Sequence, residues 1–296
     1  MECSIPPAGS QTLNPRGTAP LNLNNRDISA KPLLRFLIRQ TISLIESVAG
    51  FRTDPTGWST NRLKMLVGTY EPFLIHSVCE ALPENGVFVD VGANVGFISR
   101  QIADRFQAGR VFAFEPNPRI YPILQANLKT FSNCDLFNVG LGASEQILEF
   151  FHGRESCIGS FVPGYTSQHP ANHPTECITK SKIRVTTGDT VLSHIGTIDV
   201  MKIDVEGYEM EVLRGMSRLL DNSAIKTIFV EFCPFAQRCA RNQPEEIINF
   251  LIDSGYAVYE IEGESEGSRV CAENMTALIA RLGDKGYTTL RANRSI

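Results

Sequence analysis

Val87-Phe88-Val89-Asp90-Val91-Gly92-Ala93-Asn94-Val95-Gly96 is a short apolar run that ends in an acid and then a glycine-punctuated turn. The residues that follow, 97–106, have the spacing of an amphipathic helix. A buried strand, a tight turn and a helix N-terminus in that order form a nucleotide-type ligand site. Gly92 and Gly96 let the backbone approach a ligand without a Cβ in the way. The helix points its free N–H groups back at that ligand. The dinucleotide fingerprint is G-x-G-x-x-G, whereas this turn is G-x-x-x-G with Asn94 where a middle glycine would sit. Asn tolerates left-handed backbone, so the turn still forms. Without the third glycine the pyrophosphate reading weakens, and Asp90 just ahead of the turn favours a ligand with cationic character.

A second apolar run, Val111-Phe112-Ala113-Phe114, ends in Glu115, 25 residues after Asp90. An acid at the end of the second strand is placed to accept hydrogen bonds from a ribose diol. The plain alternative for Glu115 is a solvated strand end. Pro116 and Pro118 stiffen the next turn, where Asn117 can cap a helix running to about residue 131. Beyond the turn, 198–209 reads IDVMKIDVEGYE. Side chains alternate along a strand, so Lys202 and Asp204 share one face. A lysine in an apolar strand needs a partner, which Asp204 or a nearby carboxylate supplies. Ligands in such sheets bind beyond the carboxyl ends of the strands. Glu206 and Glu209 follow there, and acids also suit the positive end of a helix dipole. Glu231 ends a further apolar strand. Four acids where apolar strands finish, Asp90, Glu115, Asp204 and Glu231, suggest one shared crevice.

The whole pattern alternates short strands with helices, as in a parallel doubly wound sheet. Strands are expected near 87–91, 111–115, 134–139, 198–203, 227–232, 256–261 and 274–280. Helices are expected near 96–106, 117–131, 207–221 and 243–254. Strand-like runs at 146–151 and 182–186 bracket a segment rich in Gly, Pro, Ser and His. Long ordered loops are commonly lids or binding loops, so 152–181 is expected to be a substrate-facing lid. Its His169, His173 and Cys177 have metal-ligand residue types, but Pro170 and Pro174 disfavour the helix that would align them. No resident metal is expected; a Mg²⁺, were one held, would sit on Asp204, Glu206, Glu209 or Glu231, since hard cations take oxygen ligands.

Composition sets bounds. The chain has 296 residues, 43% hydrophobic and 20% charged, with a net charge of -4. That suits one large α/β domain with extra elements and gives no electrostatic footprint for nucleic acid. No apolar run is long enough for a spanning helix. Residues 1–30 read as a disordered tail without the build of a signal peptide. The region 31–82 reads as a helical extension. Its segment 31–50 is amphipathic and is expected to pack on the domain or on a second subunit, with membrane-surface contact as the sharper alternative. The eight cysteines are scattered without a C-x-x-C pair, which fits a reducing, cytoplasmic compartment.

Over residues 70 to 280 the chain resembles the FkbM-type S-adenosylmethionine-dependent methyltransferases. The resemblance rests on VFVDVGANVGFIS, FAFEPNP, Asn127 of QANL, NVGLGAS, IRVTTGDTVL, KIDVEGYEMEVLRGM and IFVEF. It implies a Rossmann-like class I methyltransferase domain at 83–296, with a largely parallel seven-stranded sheet, helices on both faces and an antiparallel last strand. It also implies S-adenosyl-L-methionine as methyl donor and O-methylation of a hydroxyl on a small-molecule, sugar or polyketide-like acceptor. By position, Asp90, Gly92, Ala93, Asn94 and Gly96 line the methionine part of the cofactor. Glu115 holds the ribose, Asn117 lies near the adenosine, and Gly140 and Leu141 flank the adenine. Asp204 closes the pocket near the methyl group. Asp204 or Glu206 is the expected base, tuned by Lys202. The alternatives are a binding protein that keeps the fold without catalysis and a nicotinamide-dependent oxidoreductase.

Overall fold

The computed structural model describes residues 32–57, 59–153, 155–169, 178–262, 265–284 and 286–294. The expected tail at 1–30, together with His173 and Cys177, lies outside them. The chain divides into two units, Met1–Ser43 and Leu44–Ile296. In the first, residues 32–43 are helical and Thr41 Oγ1 donates to the Leu37 carbonyl at 2.9 Å. The second holds the α/β domain and, ahead of it, the helices Ser59–Leu66 and Pro72–Ala81.

The strands in chain order are β1 Val87–Val91, β2 Arg110–Phe114, β3 Cys134–Phe137, β4 Gly140–Leu141, β5 Gln146–His152 and β6 Thr179–Thr186. They continue with β7 Ile198–Ile203, β8 Ile225–Phe232, β9 Tyr256–Glu262, β10 Ser265–Val270 and β11 Thr288–Arg294. Eight form the main sheet in the order β10-β9-β11-β8-β7-β1-β2-β3. The run from β8 to β3 is parallel, and β11 enters antiparallel between β8 and β9. The order reverses direction at β1, and in such sheets the crevice beyond the strand ends at that point is the ligand site. Alternation along β1 builds both cores. Val89 and Val91 pack with Phe114, Ile203 and Val230 on one face, while Phe88 packs with Val78, Phe97 and Ile102 on the other.

The Rossmann-like architecture is therefore present, with β10 as an eighth strand at the edge. The expected strand at 274–280 is instead the helix Met275–Leu282. Met275, Leu278 and Leu282 are its buried residues, at helical spacing. The antiparallel strand of the fold is β11. The expected helix 207–221 breaks into Glu209–Arg214 and Ser217–Asp221. It breaks where a Cβ on Gly215 would meet the Gly142 carbonyl oxygen at 2.0 Å. The expected helix 117–131 is confined to Tyr121–Leu128. The runs bracketing the irregular segment pair with each other: β5 is antiparallel to β6, which with β4 makes a separate three-stranded sheet. No helix among the described residues is long and apolar enough to cross a membrane.

Candidate active site

The turn after β1 is shaped by three left-handed residues, Gly92 (φ 81), Asn94 (φ 50) and Gly96 (φ 81). Gly92 has no alternative, because a Cβ there would lie 1.9 Å from the Asp204 carbonyl oxygen. The Gly92 and Ala93 N–H groups both donate to the Phe114 carbonyl at 3.0 Å, which ties the turn to the end of β2. Glu115 completes the tie. Its Oε2 accepts from the Asn94 N–H and its Oε1 from the Asn117 N–H, each at 2.8 Å. Burial pushes the Glu115 carboxyl up to about 7 against these hydrogen bonds, which favour the charged form.

Register explains the ion pair beneath the turn. Asp90 is level with Lys202 on the adjacent strand β7. The Lys202 ammonium lies 3.3 Å from Asp90 Oδ1 and 3.2 Å from Asp204 Oδ2, and it donates to the Gly92 carbonyl at 3.2 Å. Ser99 Oγ donates to the other Asp90 oxygen at 2.6 Å. Burial alone would pull the lysine down, but the Asp204 and Asp90 charges outweigh it and hold Lys202 above its usual range.

Beyond β7 the backbone turns through Glu206 (φ 55) and Gly207 (φ 95). Glu209 brackets this turn from within. Its Oε1 accepts from the Val205 and Gly207 N–H groups at 3.2 and 3.0 Å, and its Oε2 from Gln237 at 2.5 Å. Both its oxygens are thus engaged by the turn and by Gln237. Asp204, Glu206 and Glu231 each present a carboxylate oxygen within 4.8 Å of the others, which is the donor chemistry of a hard divalent cation. Burial first, and Asp204 second, push the Glu206 carboxyl well above the usual range; Glu231 is raised by burial, Asp204 and Glu206. The Tyr165 hydroxyl donates to Glu206 and opposes that rise. Ser160 Oγ donates to the Glu206 carbonyl at 2.7 Å.

These groups face one cavity of about 500 Å³, within the range of sites for cofactor-sized ligands. Its wall includes Asp90, Gly92, Ala93, Asn94 and Glu115, with Gly140 and Leu141 and with Lys202, Asp204 and Glu206. Gly96 and Asn117 stand behind the wall. A Cβ on Gly96 would meet Leu124 at 2.5 Å, and the Asn117 side chain accepts from the Arg119 N–H at 3.0 Å.

The described part of the expected lid is ordered by contacts with the site. Ser156 donates its N–H to Asp54 Oδ2 at 3.1 Å and its hydroxyl to Asn94 at 3.3 Å. Tyr165 packs with Ile158, Val162 and Ala236. His152, expected on the lid, is a buried residue of β5 whose Nε2 lies 2.8 Å from Ser181 Oγ. Burial and then Arg119 lower it to about 4, so it is neutral. Sequence reasoning missed Tyr70, Glu71, Tyr165 and Tyr287, all of which face the cavity. Only Glu71 carries a local mark, a left-handed backbone (φ 47) ahead of a helix, and that mark is not visible in sequence.

A family model described as the methyltransferase FkbM domain matches residues 90–258. The AMB antimetabolite synthetase AmbE of Pseudomonas aeruginosa is 29% identical over 177 residues, covering 50% of this chain and 8% of that protein. Methyltransferase 1 of Beauveria bassiana is 26% identical, covering 51% of this chain and 66% of the relative. The hexuronic acid methyltransferase AglP of Haloferax volcanii is 28% identical, covering 60% of this chain and 70% of AglP. The chain thus spans a small part of AmbE and about two thirds of the other two.

Proposed function

The chain belongs to the FkbM methyltransferase family, whose cofactor is S-adenosyl-L-methionine, and from that premise we propose that it O-methylates a hydroxyl of a small-molecule or sugar acceptor. The observation that carries the reading is the meeting, in one cavity, of the Gly92 turn, Glu115 and the carboxylates of Asp204 and Glu206. The name of AglP specifies a sugar acid, and a sugar acceptor for this chain is consistent with that relative.

The cofactor supplies a methyl group on a sulfonium, an electrophile that needs no further activation. The protein must align the acceptor oxygen with it and take a proton. Glu115 is the acceptor for ribose hydroxyls at the end of β2. The backbone of Gly92, Ala93 and Asn94 would border the methionine part of the donor, and Gly140 and Leu141 its adenine. Asp204 is held by Lys202, whose ammonium lies 3.2 Å from its Oδ2. Burial first and Asp204 second raise the Glu206 carboxyl, while the Tyr165 hydroxyl and Lys202 oppose that rise. Glu206 is therefore placed to take the proton of an acceptor hydroxyl, and the donor, when bound, would supply the methyl group to that oxygen. Lys202 holds the turn and the acids in register.

Calorimetry with S-adenosylmethionine and release of S-adenosylhomocysteine, measured separately, test this assignment in Glu206→Gln and Asp204→Asn. Glu206→Gln should keep donor binding and lose at least about a hundredfold in turnover. Near-normal turnover in Glu206→Gln refutes the assignment of the base, and a loss in Asp204→Asn alone moves it to Asp204.

A further inference from the structure

A second, smaller cavity of about 280 Å³ adjoins the first and shares Glu71, Lys202, Asp204, Glu231 and Tyr287 with it. Of its other wall residues, Ile203 and Phe229 lie within the family-matched residues 90–258, and Phe73, Leu74, Ile261, Thr288 and Thr289 lie outside them. Phe73 and Leu74 arrive from the N-terminal side, and Thr288 and Thr289 from the C-terminal side. The shared core carries the turn and strand ends that face the donor. Phe73 and Leu74 on one side and Thr288 and Thr289 on the other share this cavity's wall with Asp204.

We propose that this annex is the acceptor subsite and that it takes a neutral, polyhydroxylated ring, with Glu71 and Tyr287 setting that preference. The inference rests on the methyl-transfer reading above and narrows its acceptor. Charge decides it first. Glu71, Asp204 and Glu231 face the annex, and among its described wall residues the one cation is Lys202. That ammonium is already within 3.3 Å of Asp90 and Asp204, so an incoming carboxylate or phosphate finds acids without a free partner. Hydroxyl groups, in contrast, donate to carboxylates. Glu71 lines both cavities, and burial first and Asp204 second raise its carboxyl. Shape agrees with charge. Phe73 and Tyr287 are 43% and 64% exposed at the walls, so their rings are available to the apolar face of a sugar. The Thr288 and Thr289 side chains can donate or accept. The annex is smaller than the pockets that hold drug-sized ligands, which limits it to about one ring. An acid-free ring is a departure from the relative AglP, whose name specifies a hexuronic acid.

The test uses the full chain with S-adenosylhomocysteine bound, and methyl pyranosides of glucose, galactose and mannose against the matching uronates. Binding is read by calorimetry, and methylation by mass spectrometry with S-adenosylmethionine. The neutral rings should bind and be methylated. Each uronate should be weaker by about a hundredfold, the effect of two carboxylates about 6 Å apart at an effective dielectric of about 20. Glu71→Gln should reduce that gap at least about fivefold, and Glu71→Lys should reverse it; Tyr287→Ala should weaken neutral rings and uronates alike. Thermal melting and S-adenosylmethionine affinity serve as controls for folding. A uronate bound as well as its neutral partner, an unchanged ratio in both Glu71 variants, or no binding of any pyranoside overturns the subsite. Failure to bind S-adenosylmethionine at all overturns the methyl-transfer reading instead, so the two failures are distinct.

Discussion

Lys202→Met isolates the electrostatic centre of the site. Methionine keeps an unbranched apolar stem of similar length, so the cavity contribution is small and the lost ammonium dominates. Lys202 is 4% exposed and Asp90 0%. The two are 3.3 Å apart. Without the lysine, Asp90 keeps the Ser99 hydroxyl as its side-chain partner. Breaking a buried pair in this way costs about 3–5 kcal/mol, because one charge stays buried and unpaired. The Asp204 half adds little, since its side chain is 31% exposed and water can solvate it. A loss of about 3–4 kcal/mol is therefore expected, which lowers the melting temperature by roughly 10 °C in a domain of this size. Urea unfolding measures it, with the midpoint shifted and the slope retained. The decisive arm is Asp90→Asn in the Lys202→Met background. Asparagine removes the stranded charge, so the double variant should be more stable than Lys202→Met alone by about 2 kcal/mol. Lys202→Met within about 1 kcal/mol of wild type, or a double variant no better than the single, refutes the account of this centre.

Two further outcomes follow from the turn. Gly92→Ala forces a Cβ to 1.9 Å from the Asp204 carbonyl oxygen at a left-handed φ of 81, so S-adenosylmethionine binding should be lost and stability should fall by more than about 3 kcal/mol; calorimetry and urea unfolding check both. Glu115 carries a carboxyl raised to about 7, and its charged form is the one that accepts ribose hydroxyls. Affinity for S-adenosylmethionine should thus rise about tenfold between pH 6 and pH 8, and Glu115→Gln should bind weakly with that slope removed. The stability linkage runs the other way: the folded value lies above the unfolded one, so the stabilisation from Glu115 is complete below about pH 4.5 and is lost as pH rises through 7.

The strands that carry the donor site were legible because each announces itself locally. β1, β2, β7 and β8 are apolar runs with an acid at or just after the end, and parallel strands buried on both faces have to read that way. β10 and β11 were not legible for the same reason. SEGSRV and TTLRANR hold little apolar alternation, and they form strands because β9 and β8 offer them a ladder. The helix Met275–Leu282 was misread as a strand because Met275, Leu278 and Leu282 sit among alanine, isoleucine and threonine, so the helical period is blurred over so short a stretch. His152 and Lys202 show a related limit. A polar residue in an apolar strand reads as functional either way, and only the tertiary environment separates them. His152 is buried beside Ser181 on the second sheet, whereas Lys202 is joined to the cavity through Asp204 and the Gly92 carbonyl.

The acceptor side has a different origin, and that is why it was silent in the sequence. The donor end is made of backbone: a turn, a helix N-terminus and strand ends, whose residue types follow from φ and from hydrogen-bonding needs within about 30 residues. The acceptor end is made of side chains from far-apart positions. Glu71 precedes the first strand, Tyr165 belongs to a short helix after β5, and Tyr287 lies just before β11. No local rule constrains any of these to be an acid or a tyrosine. Glu71 even holds an unfavourable left-handed backbone at φ 47, which a glycine would adopt more readily. Strained backbone of this kind clusters at functional sites. That carboxylate faces the annex.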